Sequence, residues 1–207
     1  MSKIFHPDNP IQKYGNLLAD YFILSVLWIV FSIPIITVGA ATTALFYVST
    51  RRIFDKEGSL AGDFWRSFLL NLKQATMCWL FVLLAAMILL INITNIDLLG
   101  SLSNIGLLIQ LCFAMELCAV STYIFPIIAR FELSTLNVFK NAFFMANRHL
   151  FTTLILMFVG VGAILLSLLT VIFTPVAVGL YAYTASHLIM RVFRTYQPEI
   201  DRDEELE

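Results

Sequence analysis

Residues 150–190 run for forty-one positions without a single Asp, Glu, Lys or Arg. As one helix this stretch would measure about 60 Å at ~1.5 Å per residue, twice the ~30 Å hydrocarbon layer of a bilayer. It therefore predicts two spanning helices, and Pro175 with Gly179 marks the break between them. Residues 17–50 are a shorter version of the same arrangement, uncharged from 21 to 50 and interrupted by Pro34 and Gly39. Residues 75–93 add nineteen uncharged positions, and residues 105–128 add twenty-four with one charge, Glu116.

Only 13% of the 207 residues are charged, about half the ~25% usual in soluble domains, and 59% are hydrophobic. A water-solvated core of this size could not hide that much apolar surface, so lipid must solvate much of the chain. The reading is a single all-α transmembrane domain over residues 1–207, a polytopic helical membrane protein. Six spans are expected, at about 17–33, 34–50, 75–93, 105–128, 150–172 and 175–190, paired as three hairpins. The first two are seventeen residues each, at the lower limit, so five spans is the alternative.

The basic residues set the orientation. Arg51, Arg52, Lys56, Arg66 and Lys73 share one connection, Arg130, Lys140 and Arg148 share another, and Arg191, Arg194 and Arg202 follow the final span. Residues 92–104 and the turn at Thr174 and Pro175 carry no Lys or Arg. Because Lys and Arg stay on the cytoplasmic side, both termini are expected there. The opening "MSKIFHPDNPIQKYGN" has no apolar core and is not read as a signal peptide. Segments 62–74 and 135–149 look like short amphipathic helices in the inner interface. The acidic stretch 198–207 reads as a solvated cytoplasmic tail. "GAATTALFYVSTRRIF" and "GLYAYTASHLIMRVF" form a weak internal repeat, each with a Pro just before its Gly and an Arg twelve residues after it.

The side chains bound the chemistry. A net charge of −1 offers no basic face for nucleic acid. Cys78, Cys112 and Cys118 lie in apolar segments without metal spacing and read as reduced packing residues. No phosphate-cradling glycine loop, His-Glu-x-x-His or Gly-x-Ser-x-Gly is present, so neither an enzyme nor a cofactor is expected. Glu116 stands well inside a span, where a charge costs ~2.5–3.5 kcal/mol on insertion scales. With Thr42 and Thr43 it is the candidate buried polar or ion site. Its alternative is a neutral carboxyl hydrogen-bonded to a neighbouring helix. Pro34, Gly39, Pro175 and Gly179 are the structural breaks of two hairpins. Asp20, Arg51, Arg130 and Glu132 are inner-interface charges, with Asp20 expected to pair with Arg51 or Arg130. His187 reads as a packed or hydrogen-bonded side chain, and "GVG" at 160–162 as a place where another helix could come close.

Four stretches, "FHPDNP", "LWIVFSIPIITVGAATTALFYVSTR", "YIFPIIARFE" and "FKNAFFMANRHLFTTL", resemble the YesL-like family of bacterial membrane proteins. The likeness extends over nearly the whole chain. Ser25 in "SVLW" stands where the family often has Asn before Leu-Leu-Trp. The resemblance implies a cell-membrane protein, best known from Gram-positive bacteria and often encoded near carbohydrate importers and glycan-degrading enzymes. It supplies no reaction and no catalytic residue. Three functions are therefore weighed. They are an accessory or assembly partner of a carbohydrate importer, a small transporter or channel using Glu116, and a membrane sensor or scaffold. The partners expected are the lipid bilayer and possible importer membrane subunits.

Overall fold

The computed structural model describes residues 10–53, 58–169 and 171–196, and the described residues contain helices and turns but no strand. In chain order the helices are α1 (Pro10–Ser32), α2 (Val38–Ile53), α3 (Leu60–Thr94), α4 (Ser103–Arg130), α5 (Thr135–Arg148), α6 (Leu150–Leu169) and α7 (Thr174–Tyr196). Short 3-10 turns at Ile35–Thr37, Ile96–Leu102 and Val171–Phe173 connect α1 to α2, α3 to α4 and α6 to α7. The acidic tail at 198–207, the first nine residues and Lys56 lie outside the described residues.

Five helices are long and apolar enough to cross a membrane: α1, α3, α4, α6 and α7. The chain is thus an all-helical membrane protein. The second expected span, 34–50, starts later than the sequence suggests, because Pro34 and the 3-10 turn precede it. The resulting α2 has 16 residues, about 24 Å of helix, which is less than the hydrocarbon thickness. It is nevertheless the most enclosed helix, packed against α1, α3, α4 and α7. Gly39, Ala40, Ala41 and Ala44 are buried there, and their small size lets neighbouring backbones approach.

A separate interfacial helix at 62–74 does not exist. Ser59 caps the start of α3, its Oγ accepting from the Gly62 N–H at 3.3 Å, and the helix then runs unbroken for 35 residues. No proline interrupts it, so the polar first half and the apolar second half propagate as one rod of about 52 Å. One face of the first half is buried through Phe64, Ser67 and Phe68, and the Phe31 ring of α1 packs on Phe64, Trp65 and Phe68 at centroid distances of 5.0–5.6 Å. The second expected segment does form its own helix, α5. It packs mainly on α4, burying Val138, Ala142, Met145 and Ala146, while Phe143 and Phe144 stay exposed.

The bundle is uneven along its length. Val82 is the last buried residue of α3 and Ala119 the first of α4; among the described residues between them none is buried. The two helices form an arm there, turned by Gly100 at φ 54°, a left-handed conformation that suits glycine. Its surface is apolar, with Leu84, Met87, Ile88, Leu108 and Phe113 exposed. Cys112 and Cys118 share this exposure, so of the three cysteines only Cys78 is a buried packing residue.

The two hairpin breaks use proline differently. Pro34 stands ahead of its 3-10 turn, whereas Pro175 sits in the first turn of α7, where its missing N–H has no helical partner to lose. Both glycines are points of close approach. A Cβ on Gly39 would meet the Ala75 carbonyl at 2.5 Å, and one on Gly179 would meet Ser25 Oγ at 3.0 Å. Gly160 and Gly162 have more room: a Cβ added to the first would lie 3.5 Å from a Tyr181 ring atom, and one added to the second would meet nothing within 4 Å. The repeat seen in the sequence thus corresponds to two 3-10 turns, each followed by a helix whose early glycine touches a neighbour.

Candidate functional site

Polar side chains gather at the end of the bundle where α2 finishes and α3 begins. Arg51 pairs with Asp63 of α3 at 3.3 Å, and Arg52 pairs with Asp20 of α1 at 3.3 Å. Asp20 therefore takes Arg52, not the expected Arg51 or Arg130. Consecutive helical residues point about 100° apart, so Arg51 reaches the acid on α3 while Arg52 reaches the one on α1. Arg51 also lies 5.9 Å from the centre of the Tyr47 ring.

Beside these pairs a cleft of ≈ 660 Å³ opens between α3 and the end of α4. Its α3 wall carries Arg66, Ser67, Asn71 and Gln74, and its α4 wall ends in Arg130, Phe131, Glu132 and Leu133. Ser67, Asn71 and Gln74 are spaced four and three residues apart, which places them on one helical face. Gln74 Nε2 donates to the Leu133 carbonyl at 2.7 Å and so ties α3 to the segment leaving α4. Asn71 Nδ2 donates to the Ser67 carbonyl at 3.0 Å. These bonds use the amide nitrogens and leave both side-chain carbonyl oxygens as acceptors. Helix α4 stops because Phe131 turns extended (φ −120°, ψ 132°), which carries Glu132 to the rim, and Phe131 packs on Phe193 of α7 at 5.0 Å.

The sequence singled out Arg130 and Glu132 but not their neighbours. The signal for the rest is the polar stripe Ser67, Asn71 and Gln74, which lies within the segment expected to be an interfacial helix. Once the segment is part of α3, the stripe lines the cleft toward α4.

Glu116 is half-buried on α4, and its Oε1 accepts from Asn147 Nδ2 of α5 at 2.7 Å. Asn147 also donates to the Phe143 carbonyl at 3.0 Å. The two threonines serve helix contacts elsewhere. Thr42 Oγ1 donates to the Val38 carbonyl at 2.7 Å and accepts from Trp28 Nε1 at 3.0 Å, while buried Thr43 donates to the Gly39 carbonyl at 3.0 Å. Phe125, the α4 side chain that meets Gly39, is nine residues from Glu116, about 13 Å of helix. The three candidates thus share no hydrogen-bond partner. His187 is hydrogen-bonded, its Nδ1 donating to the Tyr183 carbonyl at 2.9 Å. No group of three or more His, Cys, Asp or Glu among the described residues could hold a metal.

No curated protein and no solved structure matches the chain. One family does, over part of it. Residues 21–93, from within α1 to the end of α3 and including both the Pro34–Gly39 turn and the α3 wall of the cleft, match the family described as "Protein of unknown function, DUF624".

Proposed function

We propose that this chain is a non-enzymatic protein of the bacterial cell membrane that works as an accessory or assembly partner of a carbohydrate uptake system. One observation carries the partner role: the arm between Val82 and Ala119, which has no buried residue among those described. An apolar two-helix arm without a core of its own needs lipid or the helices of another protein around it. The carbohydrate context and the YesL-like identity rest on the sequence resemblance alone. Both termini are cytoplasmic in this reading, which puts the arginine-rich end of the bundle inside.

Photocrosslinking from the arm tests the role. With crosslinkers at Leu84 and Met87 in native membranes, an importer membrane subunit is the expected adduct. Adducts to lipid alone, together with migration as a single species free of importer subunits, refute it. The alternative is transport by the chain alone, with Glu116 as a proton or cation site. Against it stand the Asn147 bond to Glu116 and the engagement of Thr42 and Thr43 with backbone carbonyls. Solute uptake by liposomes holding only this protein, lost in Glu116→Gln, would favour that alternative.

A further inference from the structure

We propose that the cleft between α3 and the end of α4 binds a phosphate ester whose alcohol carries free hydroxyls, such as a glycerophosphate group. The inference stands apart from the partner role, and only the leaflet it implies depends on the orientation proposed above.

Charge comes first. Among the described residues, the charged ones lining the cleft are Arg66, Arg130 and Glu132. Arg66 is exposed, and no ion pair or hydrogen bond engages it among the described residues. A guanidinium presents a rigid fork that matches two phosphate oxygens at once. Arg130 lines the opposite wall, where it already has an interaction of its own.

The remaining groups fit the alcohol. The side-chain carbonyls of Asn71 and Gln74 and the Glu132 carboxylate are acceptors, which suit hydroxyls and disfavour a bare phosphate dianion. The volume of ≈ 660 Å³ falls in the ~300–1,000 Å³ range of small-ligand sites. Leu70 lines the same cleft and is 74% exposed, with Leu69 and Trp65 exposed beside it on α3. Polar depth with an apolar lip suits an amphiphile at a membrane surface. Basic pockets between helices on the cytoplasmic side bind lipid headgroups in this manner. The same chemistry accepts a soluble phosphate ester.

Calorimetric titration of the full chain in detergent tests the site and separates the two sources. The probes are dioctanoyl phosphatidylglycerol, dioctanoyl phosphatidylcholine, glycerol 1-phosphate and inorganic phosphate. Saturable binding of the phosphatidylglycerol or of glycerol 1-phosphate is expected. Tighter binding of the lipid identifies a headgroup site, and equal binding identifies a soluble ester. Arg66→Gln should weaken binding at least about tenfold, the loss of a charge-assisted bidentate contact, with Arg66→Lys falling between. Lys73 is exposed on the same helix outside the cleft, so Lys73→Gln should stay within about twofold. Since Arg66 is exposed and unpaired among the described residues, its variants should melt with the parent. The proposal is overturned if no probe binds saturably, if Lys73→Gln weakens binding as much as Arg66→Gln, or if phosphatidylcholine binds as well as phosphatidylglycerol.

Discussion

Replacing Gly39 by alanine adds one methyl group at the tightest point of the bundle. That methyl would lie 2.5 Å from the Ala75 carbonyl oxygen, 2.7 Å from Trp79 Cβ and 2.9 Å from Phe125 Cε1. A carbon approaches a carbonyl oxygen comfortably at ~3.3 Å, so α2 and α3 must separate by about 0.8 Å. Two of the three obstructing atoms are a main-chain oxygen and a Cβ, which cannot swing aside as a flexible side-chain end could. A gap of that size forfeits a quarter to a half of each dispersion contact along the seam. Overpacking of this kind costs about 1–3 kcal/mol, and alanine returns up to ~1 kcal/mol of helix propensity over glycine. Contact with a main-chain oxygen puts the cost in the upper part of that range, about 2–3 kcal/mol. The net expectation is therefore a loss of about 1–2 kcal/mol, or roughly 2–8 °C in melting temperature. Gly162 is the control, since nothing lies within 4 Å of its added methyl, and Gly162→Ala should match or exceed the parent. Buried Cys78, in a background where exposed Cys112 and Cys118 are serine, reports unfolding through a thiol-reactive dye. A Gly39→Ala protein that melts with the parent, or a Gly162→Ala protein that falls as far, refutes the packing argument.

Trp79→Phe keeps a ring near Phe125 but removes the 2.7 Å bond from Nε1 to the Ile35 carbonyl, and should cost about 0.5–1.5 kcal/mol in the same assay. A double-mutant cycle on Asp20 and Arg52, whose side chains are 27% and 24% exposed, should give a coupling below about 1 kcal/mol; a value above ~2 kcal/mol would contradict a partly solvated pair. Glu116→Gln still accepts from Asn147 and should leave thermal stability within ~0.5 kcal/mol. Asn147→Leu removes the donor from a half-buried carboxylate and should cost more, about 1–3 kcal/mol; the reverse ranking would show that this hydrogen bond is not what holds the acid.

Much of the helical layout was legible because hydropathy and helix breakers act locally. The uncharged run at 75–93 and the break at Pro175 lie where α3 and the start of α7 are found. What hydropathy misread was α3. Arg66 and Lys73 made residues 62–74 look like a separate surface segment, yet a helix ends at a breaker or cap, and none occurs between Gly62 and Thr94. The central place of α2 was hidden for the opposite reason. Alanine and glycine add little to a hydropathy sum, although they are what permits close helix packing. The cleft depends on Gln74 meeting Leu133, fifty-nine residues away, and the Glu116 bond on Asn147, thirty-one residues away. Neither meeting follows from any local pattern. The stripe Ser67, Asn71 and Gln74 announced a polar face without saying what it would face.

The enclosure of α2 bears on how the chain is made. A helix of only 16 residues, with Gly39, three alanines and three threonines among them and two arginines near its end, gives a translocation machine little reason to release it into lipid unaided. Its neighbours α1, α3 and α4 emerge around it in turn, but the wall formed by α7 is synthesised far downstream. Until then one flank of α2 has no protein against it. The burial of α2 is therefore completed late, when the last helix of the chain arrives.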